Sequence, residues 1–218
     1  MIGPADFEPT QYLFEHFDKV WPRLVEHLTI SAVSVLIALA ISLPAGLFLS
    51  RNRRLSGPVL TMLDGIYTIP SLALFALLLP FTGIGAQPAI IALVAYSLFV
   101  LVRNTMVAFD GVDPAVKEAA VGMGMDRRQV LWRIETPLAL PVLLAGIRIA
   151  TLSTIGLATI AAWIGAGGLG LLLKEGINNP SKLYAGVIVV GMMAVSADVL
   201  FRLIERRVSI PSATGGDQ

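Results

Sequence analysis

The sequence contains no cysteine and little charge: Asp, Glu, Lys and Arg together are 14% of 218 residues, where a typical soluble domain carries roughly 25%. Without cysteine there is no disulfide, no thiolate metal site and no thiol nucleophile. The two histidines, His16 and His27, stand outside any metal or catalytic spacing and read as interfacial polar residues. No HExxH, no GxSxG and no cluster of histidines with carboxylates occurs, so an enzyme would have no catalytic constellation and a metal no ligand set. None of the four lysines is followed by serine or threonine, which excludes a phosphate-binding GxxxxGK[ST] loop. A net charge of +1 gives no bulk attraction for nucleic acid.

What is present is apolar: 56% of the residues, gathered in runs too long for a soluble core. A hydrocarbon layer of about 30 Å takes roughly 20 apolar residues of helix. Five segments meet or approach that length: 28–50, 58–81, 87–102, 142–164 and 184–201. The fold class expected is an all-α membrane protein with five transmembrane helices. The start, MIGPADFEP, is acidic rather than basic, so the first apolar run is expected to stay as a span instead of being cleaved.

The basic residues orient the chain. With the N-terminus outside, Arg51, Arg53 and Arg54, then Arg103, Lys117, Arg127, Arg128 and Arg133, then Arg202, Arg206 and Arg207 all face the cytoplasm. The other side keeps Lys19 and Arg23 among acidic neighbours, and Lys174 and Lys182. The expectation is N-out, C-in. Residues 1–27 form an extracytoplasmic segment in which Leu13, Phe17, Val20 and Leu24 recur at helical spacing. Two readings stand: an amphipathic helix on the outer face, ended by Pro22, or an irregular extension. Gly165–Gly170 with the following LLLKEGINNP reads as a re-entrant or interfacial piece. Residues 206–218 read as a polar, disordered cytoplasmic tail.

The loop 103–141 is long where the others are short, so it should carry structure. Asp113–Pro114 caps and starts a helix through AVKEAAV, which Gly122 and Gly124 stop. Asp126 with Gln129 begins a second, and Val130, Leu131 and Ile134 give it an apolar face before Pro137 and Pro141 end it. The loop is expected to be two short helices joined by a glycine corner.

At these residues the chain resembles the permease subunits of binding-protein-dependent ABC importers. EAAVGMG at 118–124, then Ile134 and Pro137, is similar to that family's EAA loop; Thr136 departs from the usual leucine. The resemblance runs over about 28–205, which it makes the transmembrane permease domain. It implies that Glu118, Ala119, Ala120, Gly122, Gly124, Arg127, Ile134 and Pro137 couple to an ABC ATPase subunit, which binds ATP and Mg, leaving no cofactor on this chain. It further implies a second permease subunit (identical or paralogous), an extracytoplasmic solute-binding protein, and a multi-pass place in a bacterial or archaeal inner membrane. IPSLALFALLLPFTGIG (69–85) and ATIAAWIGAGGLG (158–170) look most like the osmoprotectant branch, which imports glycine betaine, choline or carnitine. The five-span core is also similar to the methionine-importer type, which stands as the alternative.

Counting about 1.5 Å per residue from the span ends puts Tyr67, Pro70, Ser71, Tyr96, Ser97, Ser153, Thr154 and Met192–Met193 at mid-membrane. All are neutral and suit the passage of a zwitterion or quaternary amine; serine and threonine also serve plain helix packing. Asp64, Arg103, Arg148 and Asp198 fall near the cytoplasmic ends. They read either as snorkelling, paired boundary residues, with Asp198 and Arg202 four apart, or as a cytoplasmic gate.

Overall fold

The computed structural model describes residues 8–208, so the first residues and the end of the expected tail, 209–218, lie outside the described residues. Among the described residues there is no strand. A short α1 (Pro9–Glu15) leads into α2 (Phe17–Arg51), whose 35 residues extend about 52 Å. The break falls at His16 and not at Pro22, which α2 incorporates. The hydrogen bond that Pro22 lacks would go to Asp18, an exposed residue of the first turn whose carbonyl can meet water.

The second expected span is broken. Arg53–Thr68 (α3) and Ser71–Thr82 (α4) meet at 96° across Ile69–Pro70. Proline disfavours the α conformation in the residue before it, and Ile69 is accordingly extended. Next, α5 (Ala86–Asp110) runs eight residues beyond the expected end at 102. After α6 (Pro114–Gly122) and a corner, one helical run extends from Arg127 to Ile164: α7 (Arg127–Val130), a π turn (Leu131–Glu135), α8 (Thr136–Ala161) and a closing 3₁₀ turn. Neither Pro137 nor Pro141 ends it, so the second loop helix is the near end of the fourth span. Pro137 stands in the first turn of α8. There the wider π turn relieves the clash that a proline ring makes with the preceding carbonyls. Finally, α10 (Pro180–Val208) overruns the expected 184–201 at both ends. Among the described residues four helices are thus long and apolar enough to cross a bilayer: α2, α5, the 127–164 run and α10.

Helix α5 is the hub, packed against α2, α3, α4 and α8. Two glycines let the backbones close in. A β-carbon on Gly46 of α2 would lie 2.5 Å from the Cβ of Thr105, and one on Gly146 of α8 would lie 2.6 Å from the Cβ of Asn104. A core of Phe75, Leu93, Tyr96, Ala158, Ala161 and Ile164 fills the space between α4, α5 and α8.

The 165–178 segment is not a crossing. It turns into α9 (Gly170–Glu175), about 9 Å long, whose Leu172 is fully buried with Leu169 against Val20, Ile155, Val189 and Met193. Glu26 of α2 holds the turn by accepting from the Gly168 N–H at 2.9 Å. His27 is no interfacial residue: it is buried, and its Nε2 bonds the Ile155 carbonyl at 3.0 Å. Outside the spans, Glu175 accepts from both Lys182 and Arg23. The Lys182 ammonium, helped by the Arg23 guanidinium, holds its carboxyl below the ordinary range.

Two outcomes follow. Gly46→Val or Gly146→Val should destabilise the detergent-solubilised protein by about 1–3 kcal/mol in thermal unfolding. Gly57→Ala, where nothing lies within 4 Å, should not. Because the folded pKa of Glu175 is depressed, its contribution is present above the unfolded value of about 4.3 and is lost as pH falls through the folded one. Glu175→Gln should therefore lower Tm at pH 6 and shrink the further loss between pH 5 and pH 3.

Candidate functional site

The corner at 113–129 is built almost wholly from backbone chemistry. Asp113 caps α6 by accepting from the Ala115 N–H at 2.8 Å. At its other end, the Gly124 N–H bonds the Val121 carbonyl and the Met125 N–H bonds the Ala120 carbonyl, closing a Schellman motif. Gly124 has φ +85°, a left-handed value that a side chain would strain. Asp126 then accepts from the Gln129 N–H at 2.8 Å while Gln129 Oε1 accepts from the Asp126 N–H at 3.0 Å, a complete capping box. The glycine corner and the reciprocal cap stand where the spacing placed them.

Of the residues that the resemblance singled out, Glu118, Ala119, Gly122, Gly124 and Arg127 are exposed at this corner. Ala120 is buried and fixes α6 to the body, Ile134 is half-buried, and Pro137 is exposed further along the 127–164 run. Around the carboxylate of Glu118 the surface is apolar: Val121 and Met123 are 59% and 72% exposed. So is Trp132, one turn into the run, at 63%. Exposed apolar residues beside a charge at a helix turn form a surface suited to another protein.

The base of the corner is clamped by contacts that the sequence did not reveal. Arg51, at the end of α2, pairs at 2.9 Å with Glu135, which is buried in the π turn. Arg53 pairs at 3.1 Å with Asp110, the last residue of α5. The Lys117 ammonium donates to the Phe109 carbonyl at 3.3 Å. Beneath lies a cluster of Ala108, Phe109, Val112, Ala139 and Leu143. No local spacing links these ion pairs, which is why only the fold exposes them.

Mid-bundle, five of the seven candidate path positions converge. Tyr67, Tyr96, Ser97, Ser153 and Thr154 line one cavity of about 10 Å³, room for about one water. Pro70 supplies the bend and Ser71 opens α4, but neither lines the cavity. Tyr96 is buried, and its hydroxyl donates to the Ile69 carbonyl at 2.5 Å, filling the acceptor that the helix break releases. Ser97 and Thr154 bond at 3.0 Å across α5 and α8. The Tyr67 ring stands edge-on to Tyr96 and 4.4 Å from Phe99. Met192 and Met193 do not join this group: Met193 is buried beside Leu169 and Val189 on the far side of α8.

The four ionic residues read as one gate fall into two groups. Asp64 and Arg103 approach to 4.0 Å between α3 and α5, with Arg103 over the Phe99 ring. Arg103 lies about 10 Å inside α5, not at its end. Arg148 of α8 contacts Asp198 at 3.7 Å and Glu205 at 3.2 Å on α10, and Asp198 also holds Arg202 at 2.7 Å. Glu205 had no local signal.

Comparison with known proteins places this architecture. A family model described as binding-protein-dependent transport system inner membrane component matches residues 29–210. The osmoprotectant import permease protein OsmW of Salmonella typhimurium is 42% identical over 89% of this chain and 94% of its own. The choline transport system permease protein OpuBB of Bacillus subtilis is 35% identical over 91% and 93%. The carnitine transport permease protein OpuCD of Listeria monocytogenes is 39% identical over 91% and 87%. Among solved structures, an inward-facing MetNI methionine ABC transporter superposes with a TM-score of 0.81 at 23% identity, over 93% of this chain and 99% of that one. At that identity the likeness concerns the fold. The expected methionine-importer-type core is therefore present. Matched along most of its length by the family model and by relatives well above 30% identity, the chain belongs to the binding-protein-dependent transport system inner membrane components, as a multi-pass membrane protein.

Proposed function

We propose that the chain is the translocation subunit of an ATP-driven importer of osmoprotectants, and that the corner at 113–129 seats the motor. The observation that carries this reading is mechanical. The exposed α6 surface is capped at both ends and joined through Gly124 to a helical run that continues to Ile164. A push on α6 would travel along that run to Ser153 and Thr154 at the central cavity, without an intervening flexible joint. Glu118 offers a carboxylate, and Val121 and Met123 offer apolar contact to a cleft in an ATPase subunit. ATP and Mg belong to that partner, and this chain does no chemistry of its own. The corner faces the cytoplasm, in keeping with the arginines at its base, so the bent pair α3–α4 makes the fifth crossing and the N-terminus lies outside.

The complex would contain two such permease subunits, two ATPases and an external binding protein that supplies most of the selectivity. The cargo is a glycine betaine, choline or carnitine type of quaternary amine. Relatives at 35–42% identity carry osmoprotectant, choline and carnitine names. The methionine reading has only a fold likeness behind it. Neutral Tyr67, Tyr96, Ser97, Ser153 and Thr154 would give a permanent cation weak ring and hydroxyl contacts without trapping it. The pairs Asp64–Arg103 and Arg148–Asp198 are the cytoplasmic gate of this scheme.

Glu118→Lys and Gly124→Leu should each abolish co-purification with the ATPase, the second because a left-handed side chain costs about 1–2 kcal/mol at the corner. Lys174→Gln, on α9 at the other end, should leave the complex intact. Reconstituted with its ATPase and binding protein, the chain should support ATP-dependent uptake of labelled glycine betaine, choline or carnitine. Uptake of methionine alone would reject the cargo assignment.

A further inference from the structure

Two walls of the central cavity belong to elements that meet the corner by different routes. Ser153 and Thr154 stand on α8, which continues from the corner; Tyr67 stands on α3, which does not. Between α3 and the corner the connection is ionic. Arg51 ends α2 and pairs at 2.9 Å with Glu135, the last residue of the π turn. Asn52 alone separates Arg51 from Arg53, which opens α3. Resting on the importer reading above, we propose that Arg51 and Glu135 form a second transmission element. The pair carries motor movement from the 127–164 run to α3, so that Tyr67 shifts together with Ser153 and Thr154.

The position of Glu135 is the first ground. Between Arg127 and Ala161 the π turn is the one departure from α geometry, and such turns recur at functional sites. The Glu135 side chain is only 12% exposed, and Arg51 is its one cationic partner among the described residues. Pulling the two apart would strand a charge away from water, so the pair resists stretching when the run moves. Apolar contacts are non-directional and let surfaces slide. Neither Arg51 nor Glu135 lines the cavity, so both act by position.

The packing of α3 is the second ground. Of its residues only Ser56 is buried. Its apolar contact is a single stripe, Val59, Leu60 and Leu63 against Leu49, Val102 and Met106. Polar contacts do the rest: Arg53 to Asp110 at the base, Asp64 to Arg103 further along, and the Ile69 carbonyl to Tyr96 just past the end. A helix seated so lightly can be displaced as a body, and its base is where the ionic link arrives. From Arg53 one continuous helix reaches Tyr67, about 21 Å away.

A pair that only held the fold would be replaceable. Exchanging both partners of a buried ion pair for apolar residues commonly leaves stability near its starting value, whereas removing one strands the other. Arg51→Met alone should therefore lower the Tm of the detergent-solubilised chain by roughly 5 °C. The double variant, Arg51→Met with Glu135→Met, should recover most of that loss. It should still co-purify with the ATPase, since the caps at 113–129 are untouched. Reconstituted with ATPase and binding protein, it should nonetheless take up labelled glycine betaine about tenfold less per ATP hydrolysed than the unaltered complex. A dye on Met62→Cys, exposed on α3 in a chain without native cysteine, should shift its emission when nucleotide is trapped with vanadate. In the double variant that shift should vanish. Uptake per ATP restored along with stability would make the pair a structural clamp and overturn the proposal. A dye response equal to that of the unaltered chain, or a complex that falls apart, would overturn it too. Absence of ATP-driven uptake in the unaltered complex would instead reject the importer reading itself, and the proposal with it.

Discussion

Hydrocarbon offers no hydrogen-bond partner, so every backbone group released inside the bundle must be caught by the protein. In this chain the demand is sharpest at Ile69–Pro70. The helix stops there, and the Ile69 carbonyl would be stranded without the Tyr96 hydroxyl. Tyr96 can reach it because α5 is held centrally by the close approaches at Gly46 and Gly146. With the carbonyl answered, the chain can turn through 96° and send α4 back over Leu93. The small cavity beside Tyr67 and Thr154 follows from that arrangement.

The second organising element is the helical run from Arg127 to Ile164. It makes the loop corner and the mid-bundle threonine parts of one body. Much of the corner was legible in the sequence, because caps act over three or four residues: Asp113–Pro114, Gly124 and Asp126 with Gln129 all stand as their spacing implied. The continuation was not legible. Pro137 and Pro141 looked like stops, yet a π turn just ahead of them accommodates the first ring. Pro22 was misread in the same way, its missing bond falling where water can serve instead.

Long-range electrostatics were the least visible. Asp198 with Arg202 could be anticipated, being one helical turn apart. Arg51 with Glu135, Arg53 with Asp110 and Arg148 with Glu205 join residues 57 or more positions apart, and nothing local announces them. The apolar run 87–102 puts Arg103 at a span end, but α5 continues to Asp110. Arg103 lies inside α5, still exposed, over the Phe99 ring and 4.0 Å from Asp64. His27 likewise looked interfacial until the Ile155 carbonyl supplied its partner.

The central claim is that the corner at 113–129 is the surface on which a motor in the cytoplasm acts. The absence of native cysteine makes a single thiol at Met123→Cys an unambiguous reporter, since Met123 is exposed at the corner. Membrane-impermeant maleimide, applied to vesicles of known sidedness with and without the ATPase subunit, measures the claim directly. The account predicts labelling from the cytoplasmic side alone, and protection when the ATPase is bound. Labelling from the outer side, or equal labelling with and without the ATPase, would contradict it.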